Sequence, residues 1–282
     1  MISGKTTLIA HIGFPTEAFK APMIYNPWFD RHGIDAAVIP MGVRPEDYAT
    51  SLMAIFRMSN VRGALVTMPH KVVTNSLVDE LTPTARIAGA SNAILLRPDG
   101  TLLGDQFDGA GFVRGVQRKG LDLAGKRVLV SGNGGVGSAI AASLAAAGVA
   151  RMALFDDHAV ASQALAGRLR EHYPRLEIGI GSNDPAGFDL IVNCTSLGLK
   201  PDDPLPFDPA RVDAGAAVVD ILMTREPTPL LRACRARGLK AEAGFEMLVQ
   251  QVPEYLRFFG FDSLTESLRS NLDPVRAMLY PK

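Results

Sequence analysis

Residues 128 to 157 of this chain place glycines and an acid where they can do chemistry. Val128-Leu-Val-Ser131 runs into Gly132-Asn133-Gly134-Gly135-Val136-Gly137, a long Ala-rich helix follows, and then comes Met152-Ala-Leu-Phe-Asp156-Asp157. The apolar run suits a buried parallel strand. Gly132 and Gly134 permit a tight turn and close backbone approach to a pyrophosphate, whose charge the next helix N-terminus stabilises, and Gly137 lets helix and strand pack closely. Asp156 lies nineteen positions after Gly137, at the end of a second apolar strand, where a carboxylate can accept hydrogen bonds from a ribose 2′-hydroxyl. Glycine turns also occur where two elements simply pack tightly. The full series of strand, glycines, helix, strand and acid outlines a dinucleotide-binding unit, and with it redox chemistry.

A second group of residues has the chemistry of proton movement. Lys71 closes Ala64-Leu-Val-Thr67-Met-Pro69-His70-Lys71, where proline stops an apolar strand and throws the next side chains to its C-terminal edge, the edge at which open α/β sheets bind ligands. A desolvated lysine there can shuttle a proton to a substrate oxygen, with a carboxylate to orient it; the plain alternative is a solvated surface lysine. Asp108, between Phe107 and Gly109, offers such a carboxylate or else an Asx-type turn or helix cap. Asn92 can present donor and acceptor to a hydroxylated ligand. His70 neighbours Lys71 but points the other way on an extended chain.

The elements that must position these residues form a βα pattern. Strand-like Thr7 to Ile12, Ala36 to Met41 and Gly63 to Thr67 alternate with helices around Met23 to His32 and Pro45 to Met58, which predicts a mostly parallel sheet covered by helices. Ala93 to Arg97 and Leu102 to Gly104, joined across Asp99-Gly100, read as a hairpin. From Lys126 to Gly238 the alternation resumes, enough for a doubly wound sheet. The fold class expected is α/β with two domains: residues 1–105 plus 240–282 form one, and 106–239 the Rossmann-like other. The C-terminal helices return to the first domain, because a lone tail could not bury Leu256, Phe258 and Phe259.

Composition excludes several classes. The 282 residues are 47% hydrophobic and 21% charged with zero formal net charge, so no basic stripe points to nucleic acid or an anionic membrane. The start lacks a signal peptide's apolar stretch and the Ala139 to Val149 segment is too short to span a bilayer, so a cytoplasmic protein, monomer or homodimer, is expected. Cys194 and Cys234 form no close-spaced motif, the five histidines are scattered, and no metal is expected.

Val66-Thr67-Met-Pro69-His70-Lys71, Gly89-Ala-Ser-Asn92, Phe107-Asp108-Gly109-Ala-Gly111-Phe112, Asn193-Cys-Thr195-Ser-Leu-Gly198-Leu and Met247-Leu-Val-Gln-Gln251 occur in the order found in the shikimate dehydrogenase family, which the chain resembles over nearly its whole length. The resemblance implies an N-terminal substrate domain completed by the C-terminal helices, with a Rossmann-like domain inserted. It implies that Lys71 and Asp108 serve a ring hydroxyl, that Thr67, Asn92 and Gln251 contact substrate hydroxyls, and that Thr195, Met223 and Gly244 lie on the cofactor side. The implied reaction is reversible hydride transfer between nicotinamide and a secondary alcohol, as between shikimate and 3-dehydroshikimate in aromatic amino acid biosynthesis, or on quinate.

The pattern also breaks. Where the family carries Ser-x-Ser-Pro to hold the shikimate carboxylate, this chain has Phe19-Lys20-Ala21-Pro22. Losing two hydrogen bonds to a charged group costs about 3 to 6 kcal/mol, so either Lys20 compensates as a cation or Phe19 lines a less polar pocket. Leu65 replaces a usual asparagine, and Met223 a common tyrosine. Asp156-Asp157-His158 stands where relatives that use NADP have Asn-Arg-Thr, which predicts NAD with NADP disfavoured, although His158 or Arg168 can reach a phosphate if the loop folds back. Two other readings fit the architecture: a ligand-sensing paralogue without turnover, and another two-domain dehydrogenase such as a folate-linked methylene dehydrogenase.

Overall fold

The computed structural model describes residues 2–17, 19–200 and 202–279. The chain divides into two compact units. One is formed by residues up to Phe107 together with residues from Gln251 onward, and the other by Asp108–Gln250.

The first unit opens β1 (Thr7–Gly13), α1 (Ala21–Arg31), β2 (Ala36–Gly42), a short turn at Pro45–Asp47, α2 (Tyr48–Ile55), β3 (Val61–Val66) and α3 (Lys71–Thr74). It continues with β4 (Glu80–Leu81), α4 (Pro83–Ala88), β5 (Ala93–Leu96) and β6 (Leu102–Asp105). Six strands lie in the order β2-β1-β3-β5-β6-β4. β1 pairs in parallel with β2 and β3, while β5 runs antiparallel to β3 and β6, the hairpin expected from the Asp-Gly turn. Alternation along the strands sorts the two faces. Ala10, Ile12, Ala64, Val66 and Ile94 pack on Tyr48, Leu52 and Ile55 of α2. The two-residue β4 carries no apolar run and escapes a pattern reading. Thr82 caps α4 by accepting from the Ala85 N–H at 3.3 Å, and Gly89 ends it in the left-handed conformation at φ 70°.

The second unit comprises α5 (Asp108–Arg118), β7 (Arg127–Ser131), α6 (Gly135–Ala146), β8 (Arg151–Phe155), α7 (Ala159–His172), β9 (Glu177–Ile180), β10 (Leu190–Asn193), β11 (Ala217–Asp220), α8 (Pro229–Ala236), β12 (Lys240–Ala243) and the start of α9 (Phe245–Phe258). Its sheet, in the order β12-β11-β10-β7-β8-β9, is parallel throughout. Both faces of such a sheet are covered, which is why its strands read as continuous apolar runs. Leu129, Ile191 and Val218 pack on Leu230, Leu231 and Cys234 of α8. On α5, Gly109 permits a close crossing, since a Cβ there would lie 2.0 Å from the Ala139 carbonyl oxygen of α6.

The expected boundary at residue 240 is corrected. β12 pairs with β11 from Ala217↔Lys240 to Asp220↔Ala243, so it extends the second sheet, and the chain returns to the first unit at Gln251, within α9. The boundary at 105 moves to Phe107. α10 (Asp262–Ser270) and α11 (Asp273–Leu279) complete the first unit. There Leu256, Phe259, Leu264 and Leu268 are buried, each contributing about 1.5–3 kcal/mol. Among the described residues no helix is long and apolar enough to cross a membrane.

Candidate active site

In the second unit the strands numbered 7 to 9 progress to one side of β7 and those numbered 10 to 12 to the other side of β10. The crevice between β7 and β10 is therefore a topological switch point, the place where open α/β sheets bind ligands at their carboxyl ends. The loop Gly132–Gly134 leaves β7 there and leads into α6. Gly132 has φ 90°, and a Cβ on it would lie 2.6 Å from the Cys194 carbonyl carbon and 2.7 Å from the Thr195 nitrogen, so this loop and the one after β10 touch. Gly137 is tighter still, with its Cβ position 1.8 Å from the Gly132 oxygen. Gly134 is different: it is the N-cap of α6 without a side-chain cap, and nothing lies within 4 Å of its Cβ position. Uncapped helix N–H groups beneath open space make the cradle a pyrophosphate needs, so the residues fit a dinucleotide.

The loop is held by side chains. The Asn133 N–H donates to Asp156 Oδ2 at 2.7 Å, Asn133 Nδ2 donates to the Val130 carbonyl at 3.3 Å, and Ser162 donates to Asn133 Oδ1 at 2.7 Å. Asp156 Oδ1 accepts the His158 N–H at 2.9 Å. Each oxygen of Asp156 thus already serves the backbone. Asp157 and His158 are exposed. At the next strand ends, the Thr195 hydroxyl donates to Asn193 Oδ1 at 2.7 Å, and buried Asp220 accepts from Asn193 Nδ2 at 3.0 Å and from the Thr228 hydroxyl at 2.6 Å. Burial raises the pKa of Asp220. Gly244 packs with its Cβ position 2.8 Å from Ile221 Cα, and Met223 lies half-buried in the loop after β11. The Asn193–Asp220–Thr228 network escaped the sequence reading, since only the structure brings two strand ends and a helix cap together.

In the first unit the predicted residues gather at the carboxyl ends of β1 and β3. The Thr67 N–H donates to the Ile12 carbonyl at 2.9 Å, and its own carbonyl accepts from the His70 N–H at 3.0 Å, turning the chain into α3 with Lys71 first. His70 is buried, stacked on Tyr48 with ring centroids 4.0 Å apart, and bonded through Nε2 to the Val43 carbonyl at 2.8 Å. This anchors the short helix that presents Lys71. The Lys71 carbonyl accepts the Ser91 N–H at 2.8 Å, which places Asn92 beside it. Asn92 Oδ1 accepts the Phe107 N–H at 3.0 Å, while its Nδ2 is buried without a partner among the described residues. Gln251 Oε1 is likewise buried and unpartnered. α9 brings Gln251 to this edge: Tyr255, one turn on, donates to the Asn92 carbonyl at 3.4 Å, and Phe259 covers Gly63 at the far end of β3. Phe19 is half-buried, whereas Lys20 is exposed at the N-cap of α1. Asp108, 3% exposed, begins α5 of the second unit.

Known proteins match this arrangement. The family model for the shikimate dehydrogenase substrate binding domain covers residues 12–94. A shikimate dehydrogenase (NADP(+)) from Acidiphilium cryptum is 38% identical over 92% of this chain and 93% of its own length. The chain belongs to the shikimate dehydrogenase family. A second such relative, from Rubrobacter xylanophilus, is 35% identical over 91% of each chain and is also named for NADP(+). The crystal structure of shikimate dehydrogenase from Aquifex aeolicus superposes with a TM-score of 0.80 at 28% identity, covering 95% and 98% of the two chains. The two-unit α/β architecture is therefore that of shikimate dehydrogenases, and the chain is an NAD(P)-dependent oxidoreductase acting on a CH–OH group. The expected preference for NAD over NADP is corrected by the relatives named for NADP(+). The physical reason lies in Asp156: its oxygens are occupied by the Asn133 and His158 N–H groups, so the acid that seemed to select a free ribose is a loop brace. Among the described residues no group of three or more His, Cys, Asp or Glu could hold a metal ion.

Proposed function

We propose that this shikimate dehydrogenase-type enzyme interconverts a ring secondary alcohol and its ketone, on shikimate or a related cyclic hydroxy acid such as quinate. The unpartnered amide atoms of Asn92 and Gln251 beside Lys71 carry the reading. Leaving such groups buried costs about 1–3 kcal/mol each, and a hydroxylated ring is the partner that repays it. The first unit holds the substrate and the second the dinucleotide, with NADP(H), the cofactor of the named relatives, the one to test first.

In alcohol oxidation, Lys71 takes the hydroxyl proton as the carbinol carbon gives up its hydride, and Asp108 orients the proton-transfer pair. A dinucleotide held by the Gly132–Gly137 loop would supply the acceptor or donor for that hydride. Thr67, Asn92 and Gln251 fix the ring hydroxyls, and the Gly132–Gly137 loop with Thr195, Met223 and Gly244 seats the dinucleotide. Fixing the ring contributes through orientation rather than bond chemistry.

Lys71→Ala should lower kcat by orders of magnitude while dinucleotide affinity stays near wild type. Near-wild-type turnover would remove Lys71 from the mechanism. Shikimate and quinate assayed side by side rank the substrates, and micromolar KM for shikimate would show that the pocket binds the carboxylate without the missing serine hydroxyls.

A further inference from the structure

His11 lies at the same edge of the first sheet and belongs to none of the roles above. In the β1–β3 register it faces Leu65, which in turn faces Ala93 of β5, so the three side chains share one row on one side of the sheet. That side is the one opposite α2, where Gly63 meets Phe259 of α9. Two residues per step up β3 and one turn per step back along α9 lead from Gly63 and Phe259 to the level of Thr67 and Gln251. His11 is 8% exposed, and its Nδ1 is buried with no partner among the described residues, the condition shared by Asn92 Nδ2 and Gln251 Oε1. Its ring lies against Phe19, with centroids 4.1 Å apart at 31°.

We propose that His11 is a specificity-determining residue whose ring nitrogen hydrogen-bonds an uncharged oxygen of the substrate, a hydroxyl or carbonyl, with Phe19 fixing the ring. Leu65, its neighbour in the row, offers no polar group, so His11 is the residue that reads polarity at this point of the wall. Burial, together with the nearby Lys71 ammonium, lowers the imidazole pKa to about 4. The ring is therefore neutral at neutral pH. A neutral imidazole donates or accepts a hydrogen bond to hydroxyl or carbonyl but supplies no cation for a carboxylate. The inference rests on the dehydrogenase reading and names the kind of substrate group that this part of the pocket selects.

His11→Phe keeps the ring and its packing and removes the nitrogen. With the better of shikimate and quinate, KM should rise about tenfold with kcat within about threefold, as expected for lost uniform binding. In the ligand-free protein the same change removes an unsatisfied buried group, so Tm should hold or rise. His11→Asn, which restores a polar group, should recover part of the KM. Unchanged KM in His11→Phe, with wild-type turnover intact, overturns the inference alone. If His11→Phe fails to fold, the asparagine variant decides: a KM no better than that of His11→Leu overturns it as well. If wild-type protein oxidises neither compound and calorimetry detects binding of neither, the dehydrogenase reading falls and takes the inference with it.

Discussion

At the scale of single residues, a buried polar group is informative when its bonding is incomplete. His70 and His11 illustrate the contrast. His70 is satisfied by the Val43 carbonyl and stacked on Tyr48, and so serves as an anchor for Lys71, whereas His11 retains an unpartnered nitrogen. Both are pushed below the ordinary histidine value of 6.5, chiefly by burial. A folded-state pKa below the unfolded one means that the unfolded chain binds the proton first, so each histidine's contribution is intact above about pH 6.5 and is lost on acidification, for His11 as pH falls toward 4. Asp105 and Asp220, raised by burial, act in the opposite sense, so the wild-type melt alone does not isolate the effect. The comparison does: the Tm advantage of His11→Phe over wild type should widen between pH 7.5 and pH 5, and an equal difference at both values would show His11 not to be buried neutral. Lys71, Asp108, Asn92 and Gln251 could be nominated from the sequence because each sits in a recognisable run. His11 could not, since nothing in a strand sequence says which polar side chain will lack a partner.

At the scale of elements, the glycines of the loop have separable duties. A Cβ at Gly137 meets the Gly132 oxygen at 1.8 Å, so Gly137→Ala overpacks the turn and should cost about 1–3 kcal/mol or more, lowering Tm by several degrees. A Cβ at Gly134 meets nothing within 4 Å and φ there is −70°, so Gly134→Ala should melt with wild type. The added methyl instead occupies the cradle, and dinucleotide affinity, read from reduced-nicotinamide fluorescence, should fall at least about tenfold. Wild-type affinity in Gly134→Ala would move the dinucleotide away from this turn. Most strands and the hairpin were legible because parallel, doubly covered strands are apolar runs and Asp99-Gly100 is a strong turn. The reading placed a strand at Lys240 to Ala243 but assigned it to the wrong unit: β12 is a short run with two exposed charges, Lys240 and Glu242, and its membership is set by pairing with β11 rather than by composition. It erred on Asp156 for a related reason: the motif locates the acid, but only the folded loop reveals that backbone N–H groups claim its oxygens first.

At the scale of the molecule, sequence order and five spaced motifs revealed a two-unit dehydrogenase, while the correction of the expected NAD preference came only from relatives named for NADP(+). We expect kcat/KM to be higher with NADP+ than with NAD+; the reverse ranking would separate this chain from these relatives. The division of the chain also affects how the protein comes into being. The second unit is one continuous stretch, Asp108–Gln250, but the first needs its opening 107 residues and the helices that begin at Gln251. Synthesis proceeds from the N-terminus, so the first sheet emerges long before Phe259 can cover Gly63 or Tyr255 can reach the Asn92 carbonyl. Closing a loop that long adds only a slowly growing entropy cost, so the finished fold loses little by it. The nascent chain bears the burden instead: the sheet face carrying Gly63 and Leu65 stays uncovered while the whole second unit is made. The inserted unit, one continuous stretch, can fold first, and the helices translated after it close the substrate pocket that the residues before it began.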